Sequence, residues 1–167
     1  MQKNFHTSAK VVALGAVALV LPALALAQTA TDSFDVTITI QADCEITSTA
    51  TLDFGTQGVL TTAVDEQALL EVTCTEGTDY DIGLDAGTGT GATTSTRLMT
   101  GGADTVAYQI FQNAGRSINW GNVVGTDTQA STGTGTTQPF AVYGRVPVQT
   151  TPAVGTYTDT VGVTVTF

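Results

Sequence analysis

Carboxylates are the most numerous side chains in this sequence that could do chemistry. The 167 residues include 15 acidic residues but one histidine and five lysines or arginines. His6, Lys3 and Lys10 all lie near the start of the chain, so the rest lacks the commonest general base and a lysine nucleophile. After residue 27, a Ser-His-Asp or Cys-His arrangement is therefore excluded, and so is a zinc site built from histidine and cysteine.

Three of the acids, Asp79, Asp81 and Asp85, are close enough in sequence to suggest a Ca²⁺ site. Hard cations favour carboxylates clustered on a bent loop. These three instead alternate with apolar residues along one predicted strand, in which every second residue lies about 6.6 Å further along. We therefore expect a solvated strand face, with no metal and no cofactor. A hydrolase that uses paired carboxylates is an alternative.

A glycine-rich run at residues 87–92 has the text of a dinucleotide-binding motif. No helix pattern follows it, so no helix N-terminus would aim its backbone N–H groups at a phosphate. We read residues 86–96 and 131–137, both rich in glycine and threonine, as low-complexity loops.

The first 27 residues have the parts of a secretory signal peptide. Basic residues precede an apolar run over residues 11–21, and Pro22 follows. The small residues Ala25 and Ala27 then suit the binding pockets of signal peptidase. A membrane-spanning helix is the alternative, but it needs about 20 apolar residues. We predict cleavage after Ala27, export through the inner membrane, and no later membrane span.

Cys44 and Cys74 are the two cysteines of the chain. In an exported protein such a pair indicates a disulfide, because the compartment beyond the inner membrane is oxidising. The bond would close a loop of 74 − 44 = 30 residues and contribute roughly 3–4 kcal/mol. Two free thiols are the alternative.

Cleavage would leave a strongly acidic chain. It would keep three basic residues, Arg97, Arg116 and Arg145, and all 15 acidic residues, which gives a formal charge of −12 (3 − 15). Such a chain repels nucleic acid and anionic lipid. It suits a basic partner, or simply solubility.

Alternation of apolar and polar residues, with abundant threonine and valine, predicts strands after the signal peptide. Roughly seven short strands separated by turns favour a single-domain β-sandwich over a barrel or a solenoid. The predicted strands cover residues 33–41, a second strand from 44, then 52–55, 68–74, 79–85, 106–112, 138–147 and 157–167.

The first of these strands has an unusual position. Phe34, Val36, Ile38 and Ile40 share one face directly after the predicted cleavage site, where terminal segments are usually loose and polar. Periodicity alone leaves two interpretations open. The segment is the first strand of its own sandwich, or it is a strand donated to another subunit.

Several sequence blocks carry a family resemblance over nearly the whole of the exported part. Two are specific in combination: Val142 to Pro147, and the closing stretch from Gly155 to Phe167. With them the chain resembles the spore coat protein U domain family, which includes the pilins of archaic chaperone–usher pili. The other blocks are Cys44; Leu52, Phe54 and Gly55; Val72 to Cys74 with Gly77, Tyr80, Ile82 and Leu84; Arg97 to Met99; Tyr108 to Phe111; and Trp120-Gly121.

The resemblance implies an all-β, immunoglobulin-like β-sandwich that lacks its last strand and has an open apolar groove beside its C-terminal strand. It implies a signal peptide at 1–27, an N-terminal donor strand at 28–41 and the sandwich domain at 42–167. The donor residues would be Phe34, Val36, Ile38 and Ile40. The groove would be lined by Val161, Val163, Val165 and Phe167, with Ile46 on the opposite edge.

The implied function is that of a structural subunit of a surface pilus or coat, and not an enzyme. A periplasmic chaperone would fill the groove and clasp the C-terminal carboxylate. At an outer-membrane usher, a neighbouring copy or related subunit would then exchange its strand for that of the chaperone. The protein would pass through the periplasm to the cell surface and support adhesion and biofilm formation. The alternative is a monomeric secreted module that binds carbohydrate or a cation.

Overall fold

The computed structural model describes residues 28–167, so the predicted signal peptide lies outside the described residues. Within that range the chain is all β and contains no helix, and hence none long and apolar enough to cross a membrane. Thr39–Phe167 forms one compact unit, and residues 28–38 belong to another. The strands are β1 (Cys44–Thr49), β2 (Val64–Cys74), β3 (Asp79–Leu84), β4 (Arg97–Gly101), β5 (Asp104–Phe111), β6 (Gln129–Thr132), β7 (Thr137–Val146) and β8 (Val163–Thr166).

The strands form two antiparallel sheets. One has five strands in the order β1-β2-β7-β5-β4, and the other has three in the order β6-β3-β8. The longest ladder joins β2 to β7, from Val64 opposite Val146 to Thr73 opposite Thr137. β1 and β8, at the edges of different sheets, approach each other within 8 Å between Cα atoms.

The core lies between the sheets and uses the alternation seen in the sequence. Leu70, Val72 and Cys74 of β2 point inward and are almost fully buried, while Leu69 is exposed. Successive side chains of a strand point to opposite faces. Burial of one face therefore produces the alternation of apolar and polar residues. The two sheets therefore form a β-sandwich around one core, completed by Phe54, Leu60, Tyr80, Ile82, Leu84, Val106, Tyr108, Ile110, Trp120 and Val146.

The predicted disulfide is confirmed. Cys44 and Cys74 are bonded and lie directly opposite each other in the β1–β2 ladder, with 4.1 Å between their Cα atoms. Cys74 is only 1% exposed. The bond therefore fastens the start of edge strand β1 to the core.

Five predicted strands are confirmed, as β1, β2, β3, β5 and β7. The predictions for residues 52–55 and for the start of the last strand are wrong within the described residues, whereas a donated strand at residues 33–41 stays a prediction. Residues 33–41 and 52–55 form no paired strand, and β8 covers Val163–Thr166 instead of beginning at residue 157. All three have the right alternation. A strand also needs a neighbour for its backbone hydrogen bonds. Along these segments the described backbone partners are limited to Thr100, which bridges Thr158, and Asp85, whose N–H donates to the Gly162 carbonyl oxygen.

Two strands were not predicted. β4 follows the loop at 86–96, and β6 includes Ser131 and Thr132, which we had assigned to a loop. β6 is a short edge strand of polar and small residues that pairs with β3. Such an edge needs no apolar face, so hydrophobic periodicity does not reveal it.

Candidate functional site

The segment before the sandwich presents a row of exposed apolar side chains. We call residues 28–40 the arm and residues 41–43 its root. In the arm, Phe34 is 87% exposed, Val36 and Ile38 are each 84% exposed, and Ile40 is 69% exposed. Large exposed apolar surfaces in a folded protein mark interaction sites.

The sandwich contains an apolar cavity of about 440 Å³, which we call the groove. Two segments supply much of its lining: residues 49–54, which follow β1, and residues 157–163, which lead into β8. The core residues Leu70, Tyr108 and Ile110 also line it. The groove thus reaches from an edge of the sandwich into its core.

The structure brings together some of the residues predicted to line a groove. Val161 and Val163 line it, and Val165 is half-buried against the core without lining it. Ile46 and Phe167 are 37% and 57% exposed and lie outside it. Phe167 follows the last paired residue of β8, so it borders a shallow depression on the three-stranded sheet.

Sequence reasoning missed the opposite side of the groove. Leu52 and Phe54 line it, whereas the sequence predicts only a short strand there. They pack on β7 because Gly144 has no side chain: a Cβ there would lie 2.6 Å from Cδ2 of Leu52 and 2.8 Å from Cζ of Phe54. Phe54 also meets Tyr108 edge to face, with ring centres 6.2 Å apart. The alternation in Leu52-Asp53-Phe54 was the signal that could have identified them.

Both long sides of the groove have some unpaired backbone, although Thr158 is bonded to Thr100 and Gly162 to Asp85. β1 pairs with β2 alone and β8 with β3 alone. Residues 51–54 make no backbone-to-backbone hydrogen bond within the described range 28–167. Free N–H and C=O groups beside an apolar cavity are suited to accept an added strand.

Asp159 is the one charged residue among those that line the groove. Its carboxylate accepts hydrogen bonds from the Tyr108 hydroxyl at 2.7 Å and from the backbone N–H and hydroxyl of Thr88 at 2.8 Å each. Burial raises the pKa of Asp159, but these bonds outweigh it and hold the pKa below its usual range. Burial and the bond to Asp159 raise the pKa of Tyr108. Asp159 thus fastens one side of the groove to β5 and to the loop at 86–96.

Arg97 forms hydrogen bonds at both ends of the same loop. Its side chain is fully buried, and burial lowers the pKa of its guanidinium. The guanidinium donates to the carbonyl oxygens of Asp85 at 2.7 Å, Thr94 at 2.8 Å, Leu84 at 2.9 Å and Trp120 at 2.8 Å. The loop that we read as low-complexity therefore has fixed ends.

The other two arginines share one carboxylate. Nε of Arg145 lies 2.7 Å and Nε of Arg116 lies 3.3 Å from Oδ1 of Asp65. The hydrogen bond from Arg145 lowers the pKa of Asp65 against a smaller opposing effect of burial. With Arg97 buried, every arginine of the chain has internal partners, and the remaining carboxylates give the surface its negative charge.

The carboxylates that might have held a cation have structural partners. Asp79 and Asp81 lie on β3 and accept hydrogen bonds from the hydroxyls of Thr132 at 2.7 Å and Thr128 at 2.6 Å. Asp85 lies beyond the end of the strand. Within residues 28–167, no group of three or more histidine, cysteine, aspartate or glutamate residues is placed to hold a metal.

The chain is similar to known proteins in both sequence and fold. Protein U of Myxococcus xanthus is 34% identical over 167 aligned residues, which cover 91% of this chain and 93% of that protein. A crystal structure of the CsuC–CsuE chaperone–tip adhesion subunit pre-assembly complex, from archaic chaperone-usher Csu pili of Acinetobacter baumannii, has a similar fold. One of its chains aligns with a TM-score of 0.57 and 28% identity. The alignment covers 77% of this chain and 40% of that one, so this chain spans less than half of the solved chain.

The family model of the Spore Coat Protein U domain matches residues 30–164, nearly all of the described chain. The relatives and the sandwich fold agree with that match. The chain therefore belongs to the Spore Coat Protein U domain family.

Proposed function

We propose that this protein is a structural subunit of a surface pilus or coat, and that it polymerises by donor-strand exchange. The arm of one copy fills the groove of the next. The observation that carries the proposal is the pairing, within one chain, of an exposed apolar arm with an apolar groove whose sides have unpaired backbone.

The arm and the groove have complementary chemistry. Alternate arm residues are about 6.6 Å apart along a strand and point to one side. Fully burying one such side chain contributes about 1.5–3 kcal/mol, and Phe34, Val36, Ile38 and Ile40 are all available. Backbone hydrogen bonds to β8 and to residues 51–54 add to this stabilisation. The sum must exceed the loss of translational and rotational freedom on association.

An arm-in-groove contact joins two different surfaces of identical copies. Such a heterologous contact does not close on itself, so repetition produces an open fibre. A place in a pilus is supported by the solved neighbour, which is a complex of a chaperone and a tip adhesion subunit from archaic chaperone-usher pili.

A groove that is open before assembly needs a cover, because exposed apolar surface beside free strand edges promotes aggregation. We propose that a basic periplasmic chaperone covers it, attracted by the acidic chain, and that an outer-membrane usher directs the exchange. Cleavage after Ala27 would release the subunit into the periplasm, and the fibre would support adhesion and biofilm formation at the cell surface. We assign no catalytic role.

A charge placed in the arm tests the proposal. Val36→Asp and Ile38→Asp would each place a carboxylate in an apolar groove, which is strongly unfavourable without a partner. We expect at least a ten-fold loss of polymer, measured by size-exclusion chromatography of the purified chain from Gln28 onward and by electron microscopy of cells that express the full chain.

Val154→Asp is the matched control, because Val154 is fully exposed and lies outside both the arm and the groove. We expect it to polymerise like the wild type. The thermal unfolding temperature of the monomer, from Gln28 onward, should be the same in all three variants. Normal fibres from Val36→Asp and Ile38→Asp would refute the proposal.

A further inference from the structure

We propose that Thr75 and the Cys44–Cys74 disulfide form a clamp that keeps the arm of each copy out of its own groove. The arm is then available only to a second copy. This inference rests on the proposed function, because it concerns which groove the arm enters. It gives a role to a contact at the root of the arm that the function does not otherwise explain.

The root is held by one residue of the opposite strand. The Thr75 hydroxyl accepts a hydrogen bond from the Asp43 N–H at 3.1 Å and donates to the Gln41 carbonyl oxygen at 3.1 Å, with the Asp43 carbonyl oxygen as a second acceptor at 3.3 Å. The Thr75 N–H donates to the Asp43 carbonyl oxygen at 2.9 Å. The carbonyl of Thr75 accepts from Thr78 in a turn, so the hydroxyl takes the place of the usual ladder acceptor. The antiparallel pairing of β1 and β2 thus continues past the disulfide into the root.

This pairing sets the direction in which the chain enters the sandwich. The root continues the line of β1, and the adjacent disulfide fixes the start of that strand. The groove lining begins at Thr49, the last residue of β1. At about 3.3 Å per residue, the root and the start of the groove are separated by roughly the length of the strand, about 16–20 Å.

Length alone would let the arm reach its own groove. Residues 34–40, fully extended, span about 23 Å. If the chain reversed at the root and ran back along β1, Phe34 would come near Leu52. Such a reversal requires a tight turn at residues 41–43, and a turn there would break the hydrogen bonds to Thr75. The clamp, and not the length of the arm, therefore decides whether the arm fills its own groove or stays available to a second copy.

The sequence of the root agrees with this role. Two-residue hairpin turns favour Asn-Gly, Asp-Gly or Gly-containing pairs, because their central residues need a positive φ. The root reads Gln41-Ala42-Asp43 and contains no glycine. Both its contacts and its composition oppose the turn that filling its own groove would need.

The test measures arm protection in the monomer by hydrogen exchange, at a concentration too low for polymerisation. In the wild type we expect the amides of residues 34–40 to exchange freely. Thr75→Val removes two ordinary hydrogen bonds from the root, and we expect roughly a ten-fold increase in the closed population. Adding Gln41→Asn and Ala42→Gly to Thr75→Val should protect these amides fully.

Two variants act as controls. Thr73→Val removes a hydroxyl from the same strand that bonds only to the Thr137 hydroxyl, at 3.0 Å, and should leave the arm unprotected. Thr75→Ser keeps the hydroxyl and should behave like the wild type. A merely destabilising substitution would lower the unfolding temperature without protecting arm amides.

Protected arm amides in the wild-type monomer would overturn the clamp, and so would unprotected amides in the triple variant. Both results leave the proposed function standing if the wild type still polymerises at high concentration. Failure of the wild type to polymerise contradicts the proposed function instead, and hydrogen exchange in the monomer still decides whether the clamp exists.

Discussion

Arg97 is the one fully buried charged residue among those that the structure describes. A guanidinium keeps its proton at any physiological pH, so its charge must be balanced where it lies. Four carbonyl oxygens do this at close range, and Asp85 and Asp159 raise its pKa against the effect of burial. One side chain thereby connects the C-terminal end of β3, the loop at 86–96 and the segment at Trp120.

Replacing Arg97 tests how much this arrangement stabilises the sandwich. Arg97→Met leaves four carbonyl oxygens without their donor, and we expect a loss of about 3–5 kcal/mol in the free energy of unfolding. Urea denaturation monitored by Trp120 fluorescence measures it. Arg145→Met is the comparison, because its exposed ion pair with Asp65 is worth about 1 kcal/mol or less. Equal losses in the two variants would contradict this account.

The residue scale also shows what a sequence can reveal. The disulfide was predictable because export and the presence of two cysteines constrain the pairing almost completely. The role of Arg97 was not, since its partners at residues 84, 85, 94 and 120 meet only after folding. The same is true of Thr75, whose contacts at the root lie more than 30 positions away.

At the scale of elements, alternation predicted which segments have an apolar face but not whether a neighbour lies beside them. β2 and β7 were predicted because each has one buried face. Residues 52–55 and 157–162 have the same pattern, yet they border the groove and form no continuous ladder. Among the described residues, the backbone of 157–162 is bonded to other backbone groups only at Thr158, by Thr100, and at Gly162, by Asp85. The groove was therefore predicted on the side of Val161 and Val163 and missed on the side of Leu52 and Phe54.

Gly144 offers a test of how these elements shape the groove. Gly144→Ala would push Leu52 and Phe54 away from β7, since its Cβ would come within 2.8 Å of both. We expect a loss of about 1–3 kcal/mol from overpacking, together with slower polymerisation as the displaced side chains enter the groove. Thermal unfolding and light scattering measure the two effects.

Gly58→Ala is the control, because a Cβ at Gly58 would meet no atom within 4 Å. It should leave both stability and polymerisation unchanged. If Gly144→Ala also left both unchanged, the close packing of Leu52 and Phe54 on β7 would not define the groove.

At the scale of the whole molecule, the net charge would oppose the proposed assembly. Residues 28–167 hold three arginines and 15 acids, a formal charge of −12 (3 − 15), and the arginines are already bonded within the chain. Two copies that meet arm to groove therefore repel each other over distances comparable to the Debye length. A basic chaperone would experience the opposite force.

Salt should accordingly accelerate polymerisation of the purified subunit. Raising NaCl from about 0.01 M to about 0.1 M shortens the Debye length from about 30 Å to about 10 Å. We expect the polymerisation rate, followed by light scattering, to rise several-fold. Tetramethylammonium chloride should act equally well, because screening does not depend on a specific cation. A rate that falls or stays constant with salt would mean that repulsion between copies does not limit assembly.

The distribution of the arginines has a consequence for proteolysis. Trypsin-like proteases cleave after an accessible lysine or arginine, and exposed segments without regular structure are where cleavage concentrates. Residues 28–43 contain neither residue, Arg97 is buried, and Arg116 and Arg145 are bound to Asp65. Among the described residues, this exposed segment therefore offers these enzymes no site, whether or not another subunit covers it as proposed.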